Sequence, residues 1–300
     1  MNYKTFKNGF KTYLQLERNM SVNTVYAYLH DLELLLDFLK EEKESLALNK
    51  IELADLKDFI NYINRFEIGA YSQARIISGI KAFFNYLLIE KEITINPSEL
   101  LESPKLGRKL PDILSVEEIA NIIEHIDLSK PEGQRNRAML EVLYGSGLRV
   151  SELINLKISD ISFNENIILV TGKGNKQRLV PLGELSKKQT IIYLEHIRPH
   201  INIKKGFEDY LFLSRRGSKL SRQMVFIVIK SQVEKLGIAK KISPHTFRHS
   251  FATHLVQGGA NLRVVQQLLG HASITTTEIY THLNTDDLRK SILEFHPRNR

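Results

Sequence analysis

The sequence predicts a mainly α-helical protein in two parts: an N-terminal helical bundle, then a mixed α/β domain with a small β-sheet or hairpin. Apolar residues recur at helical spacing through residues 1–95. β-Branched residues flank a Gly/Lys-rich turn at 167–182. A stretch with two prolines, a glycine and several basic residues lies between these regions. We therefore expect one domain at 1–100, a linker at 101–111 and a second domain at 112–300.

The composition narrows the class of protein. A chain of 300 residues is long enough for two domains that each have a core. Cysteine is absent, which excludes disulfides and thiolate metal sites and suits a reducing cytosol. No apolar run is long enough to span a bilayer, and the N-terminus lacks a signal-peptide core. A cytoplasmic location is expected.

The net charge favours a polyanionic partner or an acidic surface. The formal charge is +8 and the isoelectric point is about 9.4. Residues 1–105 carry roughly 13 basic and 15 acidic side chains, and the remaining residues roughly 29 and 19. The second domain is therefore expected to make most of the contact with that polyanion.

Four amphipathic helices are expected in the first domain. They are marked by the apolar residues around Phe6, by the run that begins at Ser21, by those around Leu56, and by those from Ile76 to Leu88. Four such helices form a small bundle, and most of their aromatic side chains are assigned to its core. In the linker, Arg108 and Lys109 are candidates for phosphate contacts, although a solvated tether explains them equally well.

The second domain opens with a capping box at Ser115–Glu118 and a further helix at 135–144. The segment GSGLRVSELINL follows at 145–156. Its glycines allow a tight turn, and Arg149 then lies at the start of a short helix, beside free N–H groups that favour an anion. Glu152 is assigned a supporting role beside this arginine.

The hairpin at 167–182 has the turn Gly-Lys-Gly-Asn-Lys, which contains Lys173 and Lys176 and is followed by Arg178. It lacks the spacing and the Ser/Thr of a P-loop, and no helix follows it, so a nucleotide site is not expected. Further on, Arg215, Arg216 and Arg222 lie between two predicted helices. Lys176, Arg178 and these three arginines are candidates for contacts with the phosphates of a nucleic acid, with a solvated charged surface as the alternative.

The stretch 243–282 holds the strongest pattern. Ser243 and Pro244 begin a helix in which His245 and Arg248 share one face, and Gly258-Gly259 ends it. A second short helix, from Leu262, stops at Gly270. His271 follows directly, and the region ends at Tyr280, Thr281 and His282.

Arginine and imidazole groups directed at one point suit a phosphate, and a nearby tyrosine can act as a nucleophile. No acidic cluster accompanies them, so neither a metal ion nor any other cofactor is expected.

These motifs resemble those of the tyrosine recombinases, the phage integrase family. The elements H-x-x-R, L-L-G-H and the tyrosine match His245, Arg248, His271 and Tyr280, and the G-x-G-L-R-x-S-E-L box contains Arg149. The resemblance covers nearly the whole chain. It implies a SAM-like core-binding domain that closes over the duplex and a catalytic domain of the DNA breaking-rejoining type. It also assigns Lys173 to the hairpin lysine of the active site, with Lys176 and Arg178 close enough to compete for that role.

The resemblance implies a mechanism as well. Tyr280 attacks a DNA phosphodiester, giving a 3′-phosphotyrosine and a free 5′-hydroxyl. Arg149, Arg248 and His271 stabilise the transition state. Lys173 is the candidate general acid, and His245 is the candidate base or the group that orients the tyrosine. No metal is required, because the arginines supply the positive charge. No ATP is required for strand exchange, because the covalent link stores the bond energy.

Length and layout most resemble the Xer branch of this family, which resolves chromosome dimers at a terminus site during segregation. That likeness implies a homo- or hetero-tetramer on DNA, docked through the C-terminal helix at 286–295. It also implies a second Xer-type recombinase and a septal DNA translocase as further partners. The alternatives are an integrase or transposase of a mobile element, a type IB topoisomerase, and an architectural DNA-binding protein without chemistry.

Overall fold

The computed structural model describes residues 3–44, 46–107, 112–270 and 285–299. The chain divides into two compact units, Met1–Lys109 and Leu110–Arg300, each with its own apolar core. The described residues are mostly helical with one small antiparallel sheet, which confirms the predicted fold class.

The N-terminal unit contains the four predicted helices. They are α1 (Tyr3–Thr12), α2 (Val22–Glu42), α3 (Leu53–Asn64) and α4 (Ala70–Ile89). A turn of π-helix, Tyr13–Glu17, continues α1, and the Ser21 hydroxyl caps α2 by accepting the Thr24 N–H at 3.3 Å. Aromatic rings fill the core: Phe10, Phe59, Phe83 and Phe84 are fully buried. The assignment of most aromatic residues to packing is therefore confirmed for these positions.

The C-terminal unit contains eight helices among its described residues. They are α5 (Val116–Glu124), α6 (Gly133–Gly145), α7 (Val150–Asn155), α8 (Glu184–Ile192), α9 (Arg222–Lys235), α10 (Pro244–Gly258), α11 (Leu262–Leu269) and α12 (Thr285–Phe295). Helix α10 runs through the core, where Phe247, Phe251 and Leu255 are fully buried. The opposite side of α10, between Phe247 and Leu255, therefore faces the site that is described below.

The sheet has the order β1-β2-β3, with β1 (Ile161–Ser162), β2 (Ile167–Thr171) and β3 (Gln177–Pro181). Strands β2 and β3 form the predicted hairpin, paired from Ile167↔Pro181 to Thr171↔Gln177. The short strand β1 was not predicted, because two residues carry too little alternation to be detected.

The predicted helix boundaries in the C-terminal unit follow from their capping residues. Ser115 and Glu118 form the expected reciprocal capping box at α5. Pro244 occupies the first turn of α10, as predicted. Gly259 and Gly270 have φ values of +108° and +61°, so each ends its helix in the left-handed conformation that favours glycine.

Helix α12 packs on its own unit. Leu288 and Ile292 are buried in the same core cluster as α10. Beyond the helix, the Arg298 guanidinium donates to both oxygens of the buried Glu141 at 2.6 and 3.0 Å. Burial lowers the pKa of the neighbouring His296 to about 3, so its imidazole is neutral. Docking of α12 on another protomer stays a prediction. None of the described helices is long and apolar enough to cross a membrane.

Candidate active site

Arg149 is fixed by the turn that precedes α7. Gly147 has φ of +55°, and a Cβ there would lie 2.4 Å from the Phe251 ring, so this position accepts only glycine. The turn makes Arg149 the N-cap residue of α7, and its backbone N–H donates to Glu152 Oε2 at 2.7 Å. Its guanidinium also reaches back to Glu152, with Nη1 2.8 Å from Oε1. The predicted supporting contact of Glu152 with Arg149 is therefore confirmed.

Helix α10 supplies Arg248 and His245 to one cavity of about 760 Å³, which α11 helps to line. Arg248 is buried, and its Nη1 donates to the Gly147 carbonyl at 2.7 Å. His245, one turn earlier, is exposed. The i, i+3 spacing thus places an anchored guanidinium and a solvent-accessible imidazole on one wall of the cavity.

A single carboxylate gathers three arginines. Glu152 is buried, with 6% of its surface exposed. Its Oε1 accepts from Arg149 and from Arg178 Nη1, both at 2.8 Å, and its Oε2 accepts from Arg178 Nη2 at 2.9 Å. Arg248 Nη1 lies 3.8 Å from Oε2. We call Arg149, Arg178, Arg248 and Glu152 the arginine cluster.

The end of α11 provides the other acceptors of the arginine cluster. Arg178 Nε donates to the Leu268 carbonyl at 2.8 Å. Arg248 Nη2 donates to the Leu269 carbonyl, and Arg149 Nη2 donates to the Gly270 carbonyl at 3.3 Å. The last carbonyls of a helix have no partner within the helix and carry its negative dipole end, so they suit cationic donors.

The arginine cluster has a net charge of two positive units, because three guanidinium groups surround the one carboxylate of Glu152. Burial alone would raise the pKa of Glu152, but hydrogen bonds from Arg178 and from the Arg149 backbone outweigh it and lower that pKa to about 2. Burial, and then the charge of Arg149, lowers the pKa of Arg248 to about 10. At neutral pH the carboxylate is ionised and Arg248 is protonated, so the cluster can attract a further anion.

The other predicted site residues are distributed as follows. Lys173 lies in a 3₁₀ turn, Lys173–Asn175, at the hairpin tip, and its side chain is outside the described part of the structure. Lys176 is exposed in the same turn. Outside the described residues lie Arg108, Lys109, His271 and Tyr280.

Arg215, Arg216 and Arg222 are exposed on the C-terminal unit. Arg215 forms an ion pair with Glu132, while Arg222 opens α9. Arg215 and Arg216 line a second cavity of about 620 Å³, which lies beside α6 and α9. Exposed basic side chains in these places are available to a large anion, and their contact with DNA stays a prediction.

Among the predicted site residues, Arg178 has the surroundings that differ most from those expected from the sequence. It was predicted to contact DNA, yet Nε, Nη1 and Nη2 all donate to acceptors within the protein and its side chain is only 13% exposed. This geometry favours a role inside the site over direct contact. Strand alternation carries the missing signal, since Arg178 lies two residues from the buried Val180 and therefore on the same face of β3.

Two family models match the chain. One is described as the phage integrase family and matches residues 112–287. The other, described as the phage integrase N-terminal SAM-like domain, matches residues 8–91. Each of them falls within one of the two compact units.

Similar proteins extend this comparison over the whole chain. A tyrosine recombinase XerD from Staphylococcus saprophyticus subsp. saprophyticus is 43% identical over 294 residues, covering 98% of this chain and 99% of that protein. A XerD from Staphylococcus aureus strain Mu50 is 40% identical with the same two coverages.

Solved structures show the same architecture. The XerH site-specific recombinase in a post-cleavage complex with palindromic difH substrate matches with a TM-score of 0.68 and 26% identity, over 92% of this chain and 81% of that one. The Tn1549 transposon integrase, at 21% identity and a TM-score of 0.70, covers 96% and 98% and shares the fold. The two family models together match most of the chain, and the XerD relatives match nearly all of it. The chain therefore belongs to the phage integrase family, the tyrosine recombinases, which break and rejoin DNA.

Proposed function

We propose that this chain recombines DNA at a specific site through Tyr280, with Arg149 and Arg248 holding the scissile phosphate. The observation that carries the proposal is the arginine cluster, in which three guanidinium groups surround one carboxylate. One of these arginines, Arg248, lines the open cavity together with His245. Two uncompensated positive charges at a fixed position are suited to a phosphate that gains negative charge during reaction.

The proposed reaction conserves the phosphodiester energy. The Tyr280 oxygen attacks phosphorus, the bond to the 5′-oxygen breaks, and a 3′-phosphotyrosine and a free 5′-hydroxyl result. His245 accepts the tyrosine proton, and Lys173 donates a proton to the departing 5′-oxygen. A 5′-hydroxyl of the partner strand then reverses these steps, so ATP is not consumed.

The transition state places extra charge on the two nonbridging oxygens. Arg149 and Arg248 would donate to them, with His271 as a third donor. Their backbone and carboxylate contacts fix both guanidinium groups before the substrate arrives, so little reorganisation is needed. Loss of one such donor typically slows the chemical step about a hundredfold or more.

Exposed basic residues would provide affinity. We assign Lys176, Arg215, Arg216 and Arg222, together with Arg108 and Lys109, to DNA-phosphate contacts. The N-terminal unit would close over the other side of the duplex, and several protomers would assemble on one site through α12. The excess of basic residues beyond position 105 supports this division of labour.

The biological role that fits best is resolution of chromosome dimers in the cytoplasm. The XerD relatives cover 98% of this chain, and the XerH structure holds a difH substrate. By the same likeness, a second Xer-type recombinase and a septal DNA translocase are the proposed partners.

A covalent-trapping experiment tests the nucleophile. A nicked suicide duplex carrying a recombination site from the host chromosome terminus is incubated with the wild type and with Tyr280→Phe. We expect a covalent protein–DNA band on a denaturing gel for the wild type alone, because only tyrosine has an oxygen that can bond to phosphorus. Native gels should show equal DNA binding by both proteins.

The outcomes separate the alternatives. A band that persists in Tyr280→Phe would exclude this residue as the nucleophile. Binding without a wild-type band, even after a second Xer-type protein is added, would favour a mobile-element target or an architectural role. A duplex from a mobile-element junction then distinguishes these two.

A further inference from the structure

We propose that Arg178 is a positioning residue for strand cleavage, which sets Arg149 and Arg248 through Glu152 and through the end of α11. This inference rests on the proposed function, since it needs the two arginines to hold the scissile phosphate. The β-hairpin would then have two roles in cleavage, because it carries both Lys173 and the positioning residue Arg178. Arg178 itself touches neither DNA nor the reacting atoms.

The guanidinium of Arg178 is committed to internal acceptors on two elements. Two of its nitrogens bind the two oxygens of Glu152 in a fork, at 2.8 and 2.9 Å, while Nε binds the Leu268 carbonyl at 2.8 Å. A planar guanidinium can do this in one fixed geometry, whereas a lysine ammonium cannot reach both sides. Arg178 therefore joins β3, α7 and α11 at a single point.

Three consecutive carbonyls at the end of α11 each accept from a different member of the cluster. Leu268 receives Arg178, Leu269 receives Arg248 and Gly270 receives Arg149. The same three arginines also surround Glu152. The three arginines therefore share both sets of acceptors. A displacement of Arg178 would move Glu152 and the end of α11 together. Arg149 and Arg248 would then lose the fixed positions of the groups to which they donate.

Close packing limits how Arg178 can be replaced. A Cβ at Gly270 would lie 3.1 Å from Arg178 Cδ, and Gly172 lies beside both Glu152 Oε1 and Arg178 Nη1. Arg178 thus lies between two glycines, and at Gly270 a larger residue would press on its side chain. Its loss should affect the chemical step while leaving exposed DNA contacts in place.

The test compares Arg178→Lys with the wild type on the suicide duplex. We expect the single-turnover cleavage rate at saturating DNA to fall about 30-fold, within the range for displaced preorganised donors. The dissociation constant for DNA should change by less than about twofold. Arg135→Lys is the matched control: Arg135 is also buried and binds a carbonyl, that of Leu213, but lies outside the cluster. It should melt at a lower temperature and cleave at the wild-type rate.

A second substrate separates positioning from general loss of structure. In it, a methyl group replaces one nonbridging oxygen of the mapped scissile phosphate, so less negative charge develops in the transition state. Because the arginines then contribute less, the ratio of wild-type to Arg178→Lys rates should shrink to about threefold. A merely structural defect would leave that ratio at its original value.

Each outcome decides between the two proposals. If the wild type cleaves neither the terminus duplex nor the mobile-element duplex, even with a second Xer-type protein present, the proposed function is contradicted and the inference is overturned with it. Wild-type cleavage with an unaffected Arg178→Lys rate, an unchanged ratio on the methylated substrate, or an equal slowing by Arg135→Lys overturns the positioning role alone.

Discussion

The Glu152 carboxylate holds the site together by accepting hydrogen bonds from several donors. The Arg149 backbone and guanidinium and both terminal nitrogens of Arg178 donate to it. A buried charge is tolerated when its hydrogen bonds are satisfied, and here the surrounding arginines reverse the effect of burial on its pKa. The glutamate therefore holds together side chains that would otherwise repel one another.

Replacement of Glu152 by glutamine should lower stability at neutral pH by about 3 kcal/mol, because the pKa of about 2 lies well below the unfolded value of 4.5. The sign follows from a depressed folded pKa. This stabilisation is complete above pH 4.5 and is lost as the pH falls towards 2. Denaturant unfolding across that window should show a steep loss for the wild type and a flatter profile for Glu152→Gln.

Glu165→Gln is a suitable control, since Glu165 is an exposed carboxyl in the turn before β2. Its unfolding profile should follow the wild type. A Glu152→Gln protein with wild-type stability at pH 7 would contradict the view that this carboxylate is a stabilising counter-charge.

At the scale of elements, the C-terminal turn of α11 joins the site's parts. Gly270 adopts the left-handed conformation, and its carbonyl and those of the two preceding residues accept from the cluster. The helix end thus contacts the arginines through its backbone carbonyls, and glycine at position 270 provides the left-handed conformation that ends the helix.

Gly270→Ala and Gly237→Ala make a matched pair for this element. Both glycines have similar positive φ values, +61° and +64°, but a Cβ at Gly237 meets nothing within 4 Å, whereas one at Gly270 meets Arg178. Both variants should lose about 1 kcal/mol of stability from backbone strain. Only Gly270→Ala should also slow single-turnover cleavage, by about tenfold, and equal rates for the two variants would argue against the packing explanation.

Most elements could be predicted because their signals are local. Capping residues, apolar spacing and terminal glycines placed α5, α10 and α11 closely. The pairing of Arg178 with Glu152 could not be predicted from local signals, because the two residues are 26 positions apart and lie on different elements. Backbone acceptors such as the Gly147 and Leu269 carbonyls carry no sequence signal at all.

At the scale of the whole molecule, two units with separate cores carry different charge. The residues up to 105 are slightly acidic by count and those beyond are strongly basic. Composition alone predicted this division. It also pointed to the unit that holds the arginine cluster, though it could not distinguish arginines that face solvent from those that organise the site.

The burial of the arginine cluster has a consequence for the ionic-strength dependence of the enzyme. Mobile ions screen exposed charges over roughly 8–10 Å at physiological salt, but they penetrate poorly to buried pairs such as Arg248 and Glu152. Affinity, which arises from exposed lysines and arginines that release counterions from DNA, should therefore fall steeply with added salt. The single-turnover cleavage rate, measured with DNA kept saturating from 50 to 200 mM salt, should change by less than about twofold. A rate that fell in parallel with affinity would mean that ions reach the cluster. Salt should thus govern how often the enzyme is bound to DNA, while the speed of cutting depends on buried charge pairs that mobile ions screen only weakly.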